Sequence, residues 1–336
     1  MPQPRYAQID VEATPYYHVI SRCVRRAFLC GYDRLTDRSF DHRKAWVVEK
    51  LAKLSEIFAI RACAYAVLSN HFHLVTHIDS ARARRWTDQE VVDRYGALFP
   101  HIAERWHGFS AARKAQRVAQ WRARLSDLSW FMRCLNESIA RRANREDDCT
   151  GRFWEGRFRS QALLDEAALL TCMSYVDLNP MRAGMASSLE ESDFTSIQQR
   201  LEEYAREQSE GRGEQDSKPA RLRRPELCSF AGPGRVDADQ DLPIPMLFED
   251  YVELLAATGV AVRAEAPERT IPEESRRLLE RIGIESEHWL ETVKNYRRHF
   301  FSMVGHVHRI EIYCARVDRD KAKGSAWARK LFRAAA

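Results

Sequence analysis

Ala64-Tyr-Ala-Val-Leu-Ser-Asn-His-Phe-His-Leu-Val75 is the stretch whose reading decides the fold. It belongs to two β-favouring runs, Arg61–Leu68 and His71–His77, parted only by Ser69-Asn70, which predicts neighbouring strands joined by a hairpin or a tight kink. Side chains at i and i+2 of a strand share one face, so His71 and His73 project together while Phe72 turns into the opposite layer. Upstream, Tyr16–Val24 reads as a first strand, and Asp37–Phe58 as a helix with Trp46, Val47, Leu51, Leu54 and Phe58 on one face.

Downstream, residues 81–127 read as a charged, mainly helical insertion and Leu128–Asn144 as an amphipathic helix. An aromatic and basic loop follows, Gly151-Arg-Phe-Trp-Glu-Gly-Arg-Phe-Arg-Ser160, and then a helix over Asp165–Leu178 that Asn179-Pro180 stops. Strand, helix, strand, strand and helix in this order predict an α+β domain with an antiparallel sheet and packed helices. The expected organisation is a first domain over 1–201, a Gly-, Pro- and charge-rich flexible linker over 206–245, and a basic helical unit over 246–336.

The 336 residues are 45% hydrophobic and 30% charged, which excludes disorder over most of the length, and no run of about 18 apolar residues predicts a membrane span. The N-terminus has no apolar core of the secretory kind, so cytoplasmic residence is expected. The eight cysteines form no Cys-x-x-Cys pair and read as reduced and structural. Net charge is only +5, yet residues 81–127 hold ten Lys/Arg against five Asp/Glu, and residues 294–336 eleven against three. Such segments suit either nucleic-acid contact or a solvated helix face.

Two imidazoles side by side can bind one divalent cation, which makes His71 and His73 candidate ligands and leaves His77, on the same strand face, in reserve. A second pair, His306-Val307-His308, has no nucleophile-bearing helix beside it and reads as partly exposed histidines. Tyr175 and Asn179 are four residues apart, which brings them onto one helical face. A phenol needs help to act as a nucleophile near neutrality, and a cation on a phosphate oxygen supplies part of it. The Asn179 amide oxygen could complete a shell with the two histidines that tolerates Mg2+ or Mn2+ and gives no reason to choose zinc. The plainer alternatives are a half-buried helix tyrosine and a helix-ending asparagine. Arg157 and Arg159, with Phe153, Trp154 and Phe158, suit phosphate contacts and base stacking, or else a buried aromatic loop with solvated arginines. Arg22 suits a phosphate or a carboxylate.

Four segments taken in order, Tyr17-His-Val-Ile-Ser-Arg22, Ala64–Val75, Phe153-Trp-Glu-Gly-Arg-Phe158 and Ser174-Tyr-Val-Asp-Leu-Asn-Pro-Met-Arg-Ala-Gly184, resemble the single-tyrosine His-hydrophobic-His (HUH) transposases, over about residues 15–200. The resemblance is to the branch associated with repetitive extragenic palindromes (REP). It implies a ferredoxin-like or RRM-like core, Tyr175 as nucleophile, His71, His73 and Asn179 as ligands of Mg2+ or Mn2+, and single-stranded hairpin DNA as partner of a monomer or dimer. The implied chemistry is cleavage and rejoining through a 5′-phosphotyrosine. The chain departs from the family in reading Leu68-Ser69-Asn70 for Met-Pro-Asn, in carrying Asn179 where insertion-sequence relatives have glutamine, and in its longer 81–127 segment. Leu279–Trp289 is similar in outline to the helical extension of longer relatives, and its basic continuation, Lys294 through Arg333, suggests added DNA affinity. Two other classes compete: a hairpin-binding regulator without cleavage, and a metal-dependent hydrolase that would survive loss of Tyr175.

Overall fold

In the computed structural model, residues 8–24, 29–33, 37–210, 222–231, 243–263, 270–319 and 323–333 are described. The β-branched run Tyr16–Arg22 forms strand β1; two short strands, β2 (Tyr32–Asp33) and β3 (Arg38–Ser39), form a separate ribbon; helix α1 spans His42–Ile57. The helix begins five residues later than the periodicity predicts, because Arg38 and Ser39 are spent in the ribbon and Asp37 sits at φ 55°. The deciding stretch gives β4 (Ile60–Val67) and β5 (His71–Ile78), joined tightly enough for the Leu68 amide to reach the His71 carbonyl at 2.9 Å.

Residues 81–127 lie among four helices, α2 (Ser80–Arg85), α3 (Asp88–Leu98), α4 (Pro100–Arg105) and α5 (Ala111–Leu125). Next come α6 (Leu128–Glu146), then β6 (Arg159–Leu163), a strand not expected from the sequence that begins at the end of the Gly151–Ser160 loop, and then α7 (Glu166–Asp177), α8 (Asn179–Arg182) and α9 (Ser196–Glu210). The remainder holds α10 (Phe248–Arg263), α11 (Glu273–Arg281), α12 (Ser286–His299), β7 (Met303–Val304), α13 (Val307–Arg316) and α14 (Ser325–Leu331). Among the described residues no helix is long and apolar enough to cross a membrane.

The main sheet has the order β4-β5-β1-β6-β7. Its first four strands pair antiparallel and, with α1 and α6, follow the β-α-β-β-α-β path of the ferredoxin-like arrangement. β7 adds a parallel edge to β6, so the whole sheet is mixed. Its two faces follow from the alternation of side chains. Val19, Ser21, Phe72 and Leu74 face α1 and α6, where Asn136 of α6 donates to Ser21 Oγ at 2.8 Å. Fully buried Arg43 ties α1 to the end of α6 through Glu146, at 2.6 Å, and Asp147. The other face carries His18, His71 and His73 and is covered by α7.

The sequence boundary near Leu201 falls inside α9, which continues to Glu210. Most of the 206–245 connector lies outside the described residues, but its middle is packed: the Cys228 amide donates to the Ala62 carbonyl at 2.8 Å, and Arg200 reaches the Cys63 and Cys228 carbonyls. The 246–336 segment contributes more than helices, since β7 joins the sheet and α12 packs on α7. The apolar core that results is continuous from Tyr17 to Phe332.

The C-terminal segment meets the start of α7 at Gly305. Asp165 caps α7 by accepting from the Ala168 amide at 2.9 Å, and it also accepts from the His306 amide at 2.7 Å and pairs with His306 Nδ1 at 2.9 Å. A Cβ on Gly305 would lie 2.7 Å from Asp165 Oδ2 and 2.9 Å from Leu164 Cβ. Gly305→Ala is therefore expected to lower stability by about 1–3 kcal/mol, read from the midpoint of urea unfolding.

Candidate active site

The register of β1 builds the site. Ile20 stands opposite His73 and Arg22 opposite His71 on β5, while His18 stands opposite Gln161 and Ile20 opposite Arg159 on β6. Directly paired residues share a face, so three strands present His18, His71, His73 and Gln161 together. His71 and His73 lie with ring centroids 4.9 Å apart, and His18 stacks on His73 at 5.1 Å. His77 lies two alternations beyond His73, about 13 Å along the strand, against Tyr16. It takes no part in the cluster.

α7 lays Tyr175 over this face, because Asp165 starts the helix and apolar residues all around it bury it on every side. The Tyr175 ring meets His73 edge-on at 5.4 Å and His18 at 6.1 Å. Tyr296 of α12 stacks on its other side at 4.5 Å, and the Arg182 guanidinium sits 4.7 Å from the ring centre. Tyr175 is only 3% exposed. Burial pushes its phenol up, while Arg182 and Arg297 pull it back down.

Asn179 is buried as well, but it does not continue α7. The helix breaks at Leu178, with φ −83° and ψ 0°, and Asn179 opens α8 with Pro180 in the first turn. Its side chain makes no hydrogen bond to His71 or His73. The chain thus brings together Tyr175, His71 and His73, with Asn179 one turn further along and no direct bond to the pair.

Burial holds the histidines neutral. His18 and His71 are each pushed down to about 4, chiefly by desolvation, with Arg297 adding to both, and His73 is driven well below its ordinary range by burial and then by His18. His71 Nδ1 lies 2.5 Å from Asn70 Oδ1, and His73 Nδ1 lies 2.8 Å from His18 Nε2. His73 Nε2 is fully buried and has no partner. A buried ring nitrogen without a partner is costly unless something binds it, and a divalent cation fits that atom. Among the described residues no third His, Cys, Asp or Glu completes a metal cluster. The rest of a shell would fall to the Asn179 amide oxygen and to a bound phosphate.

Beside the cluster opens a cleft of about 560 Å³ whose lining includes the buried His18, Gln161 and Tyr296 and which carries Arg157, Arg159 and Arg297 on its walls. Arg157 and Arg159 are exposed, whereas Phe153, Trp154 and Phe158 are buried, with Trp154 packed against Phe72 and bonded to the Asn136 carbonyl. Arg22 pairs with Glu155 at 3.3 Å, both half-exposed, which is the carboxylate alternative. Sequence reasoning missed His18, Gln161, Arg182, Tyr296 and Arg297. The period-two spacing of His18 from Ile20 and Arg22 was a signal for the first, while the others become neighbours only through tertiary packing. His306, of the second histidine pair, is held by Asp165 and has a structural role.

Asp177, on α7 between Tyr175 and Asn179, is fully buried and accepts from Ser196 Oγ, the Ile197 amide and Tyr251 Oη. Burial outweighs these donors and raises its carboxyl to about 6. An acid whose folded value exceeds its unfolded value near 3.9 contributes full stability below about 4 and loses it as pH rises through about 6. Asp177→Asn should therefore gain on the parent between pH 4 and pH 7 by up to about 3 kcal/mol, measured by urea unfolding across that range.

No family model matches the chain. No curated protein matches it either. Among solved structures, the chain is similar to a REP-associated tyrosine transposase bound to a REP hairpin, at 13% identity and a TM-score of 0.35, over 68% of this chain and all of that one. Similarity of that size says nothing about chemistry.

Proposed function

We propose that this chain cuts and rejoins single-stranded hairpin DNA through a covalent phosphotyrosine. The observation that carries the reading is the meeting of Tyr175 with His73, whose Nε2 is bare and buried, at 5.4 Å between ring centres. The four ordered sequence motifs point the same way. In the proposed step, Tyr175 Oη bonds to a backbone phosphorus as the P–O3′ bond breaks; the phenol gives up its proton and the leaving oxygen ends as a 3′-hydroxyl. Return of that hydroxyl re-forms the DNA and releases the tyrosine, so no external energy source enters.

The stacked Tyr296 and the edge of His73 hold the nucleophile's ring, and Arg182 and Arg297 favour its phenolate. Arg157, Arg159 and Arg297 suit the phosphates of a strand lying in the cleft. Held at His71, His73 and the Asn179 amide, Mg2+ or Mn2+ would neutralise charge on the phosphate as it is attacked. A DNA-binding regulator without cleavage is the second reading, favoured by the 3% exposure of Tyr175.

Purified protein incubated with labelled hairpin DNA from the flanks of its own gene, with Mn2+ or Mg2+, is expected to give a protein-linked DNA band on denaturing gels. The band should vanish in Tyr175→Phe and in His71→Ala. Retarded but uncut DNA with every cation would favour the regulator, and cleavage persisting in Tyr175→Phe would favour a hydrolase. Arg297→Ala is expected to weaken hairpin binding across sequences and to reduce the log–log salt slope by about 1, read from titrations at several salt concentrations.

A further inference from the structure

His73 Nε2 is bare for a reason that can be traced atom by atom, starting outside the cluster. Gln161 Nε2 donates to the Phe301 carbonyl at 3.2 Å, which fixes the direction of its amide and turns Oε1 inward. An amide oxygen only accepts. Both its neighbours must therefore donate: Tyr296 Oη at 2.8 Å, and His18 Nδ1 at 3.1 Å. With its proton on Nδ1, a neutral His18 offers a lone pair at Nε2, and the contact there, at 2.8 Å, is His73 Nδ1. That nitrogen must in turn carry the proton of His73, which leaves Nε2 of the same ring with a lone pair and nothing bound to it.

We propose that Gln161 and His18 are positioning residues that lock His73 in its Nδ1–H tautomer and so present Nε2 as a ready ligand nitrogen, with the lock set by Tyr296 and the Phe301 carbonyl. A ligating histidine commonly donates its other ring N–H to an acceptor that fixes its tautomer and orientation. Here the acceptor is a second imidazole, itself oriented by an amide, and the 246–336 segment supplies both groups that orient the amide. The proposal rests on the cation reading above, and its consequence is that this segment prepares the site without touching the ligand.

Long-range proton–nitrogen correlation spectra of protein labelled with 15N-histidine, without metal, read each ring's tautomer directly. His18 and His73 are both expected as Nδ1–H. Gln161→Leu removes the acceptor and should release the lock, giving mixed or Nε2–H tautomers. Gln161→Glu keeps an acceptor facing His18 and should restore Nδ1–H, which separates the relay from general damage to the fold. Affinity for Mn2+ alone, followed by electron paramagnetic resonance, should fall about ten- to a hundred-fold in Gln161→Leu and recover in Gln161→Glu. His73 found as Nε2–H in the unaltered protein, or tautomers unchanged in Gln161→Leu, overturns the proposal. Absence of Mn2+ binding in the unaltered protein, with the tautomers as expected, would instead overturn the cation reading and leave the relay standing.

Discussion

Everything at the candidate site depends on the register of β1 between β5 and β6. That one strand sets Ile20 opposite His73 and His18 opposite Gln161, and so draws residues 18, 73 and 161 into a single hydrogen-bonded line across three strands. A slip of one residue would turn His18 to the opposite layer and place Val19, now buried among α1 and α6, on the site face. The same apolar alternation that buries Val19, Phe72 and Leu74 therefore fixes the polar line on the other side. Core packing and site geometry are two consequences of one ladder.

The second constraint is dryness. The site face is closed by α7, and α7 is closed in turn by α12, so His18, His73, Tyr175 and Tyr296 are all nearly excluded from water. Desolvation keeps the imidazoles neutral, which is the state in which a ring nitrogen can bind a cation, and it raises the Tyr175 phenol. Arg182 and Arg297 work against that rise. A dry pocket with cations at its edge strengthens every charge interaction made inside it.

The C-terminal segment is bound into this arrangement by β7 on the edge of β6, His306 on the cap of α7, Tyr251 on Asp177, the Phe301 carbonyl on Gln161, and Tyr296 over Tyr175 and on Gln161. The described residues of 246–336 include helices α10 to α14. Their place against the sheet is not visible in their composition, because β7 is two residues long and gains its partner only by packing beside β6. The connector shows the same effect. Its polar composition suggested a free linker, yet Cys228 bonds to the backbone of β4 at Ala62 and meets Cys63 there.

The sequence by itself determined an α+β domain with an antiparallel sheet and the face shared by His71 and His73, since period-two and period-3.6 patterns are local properties of the chain; the ferredoxin-like path was implied only by the family resemblance. It also marked Tyr175, through a helix whose cap and stop, Asp165 and Asn179-Pro180, are contiguous with it. Only the tertiary structure decided which groups surround them. Its spacing from Tyr175 put Asn179 on the α7 face, but the break at Leu178 re-aims the chain there. His18, Gln161 and Tyr296 come from positions up to 278 residues apart, and no periodicity relates them. They meet because strand pairing and helix packing fold distant segments onto one buried face, where an amide with one fixed direction can dictate the proton on a ring two residues removed.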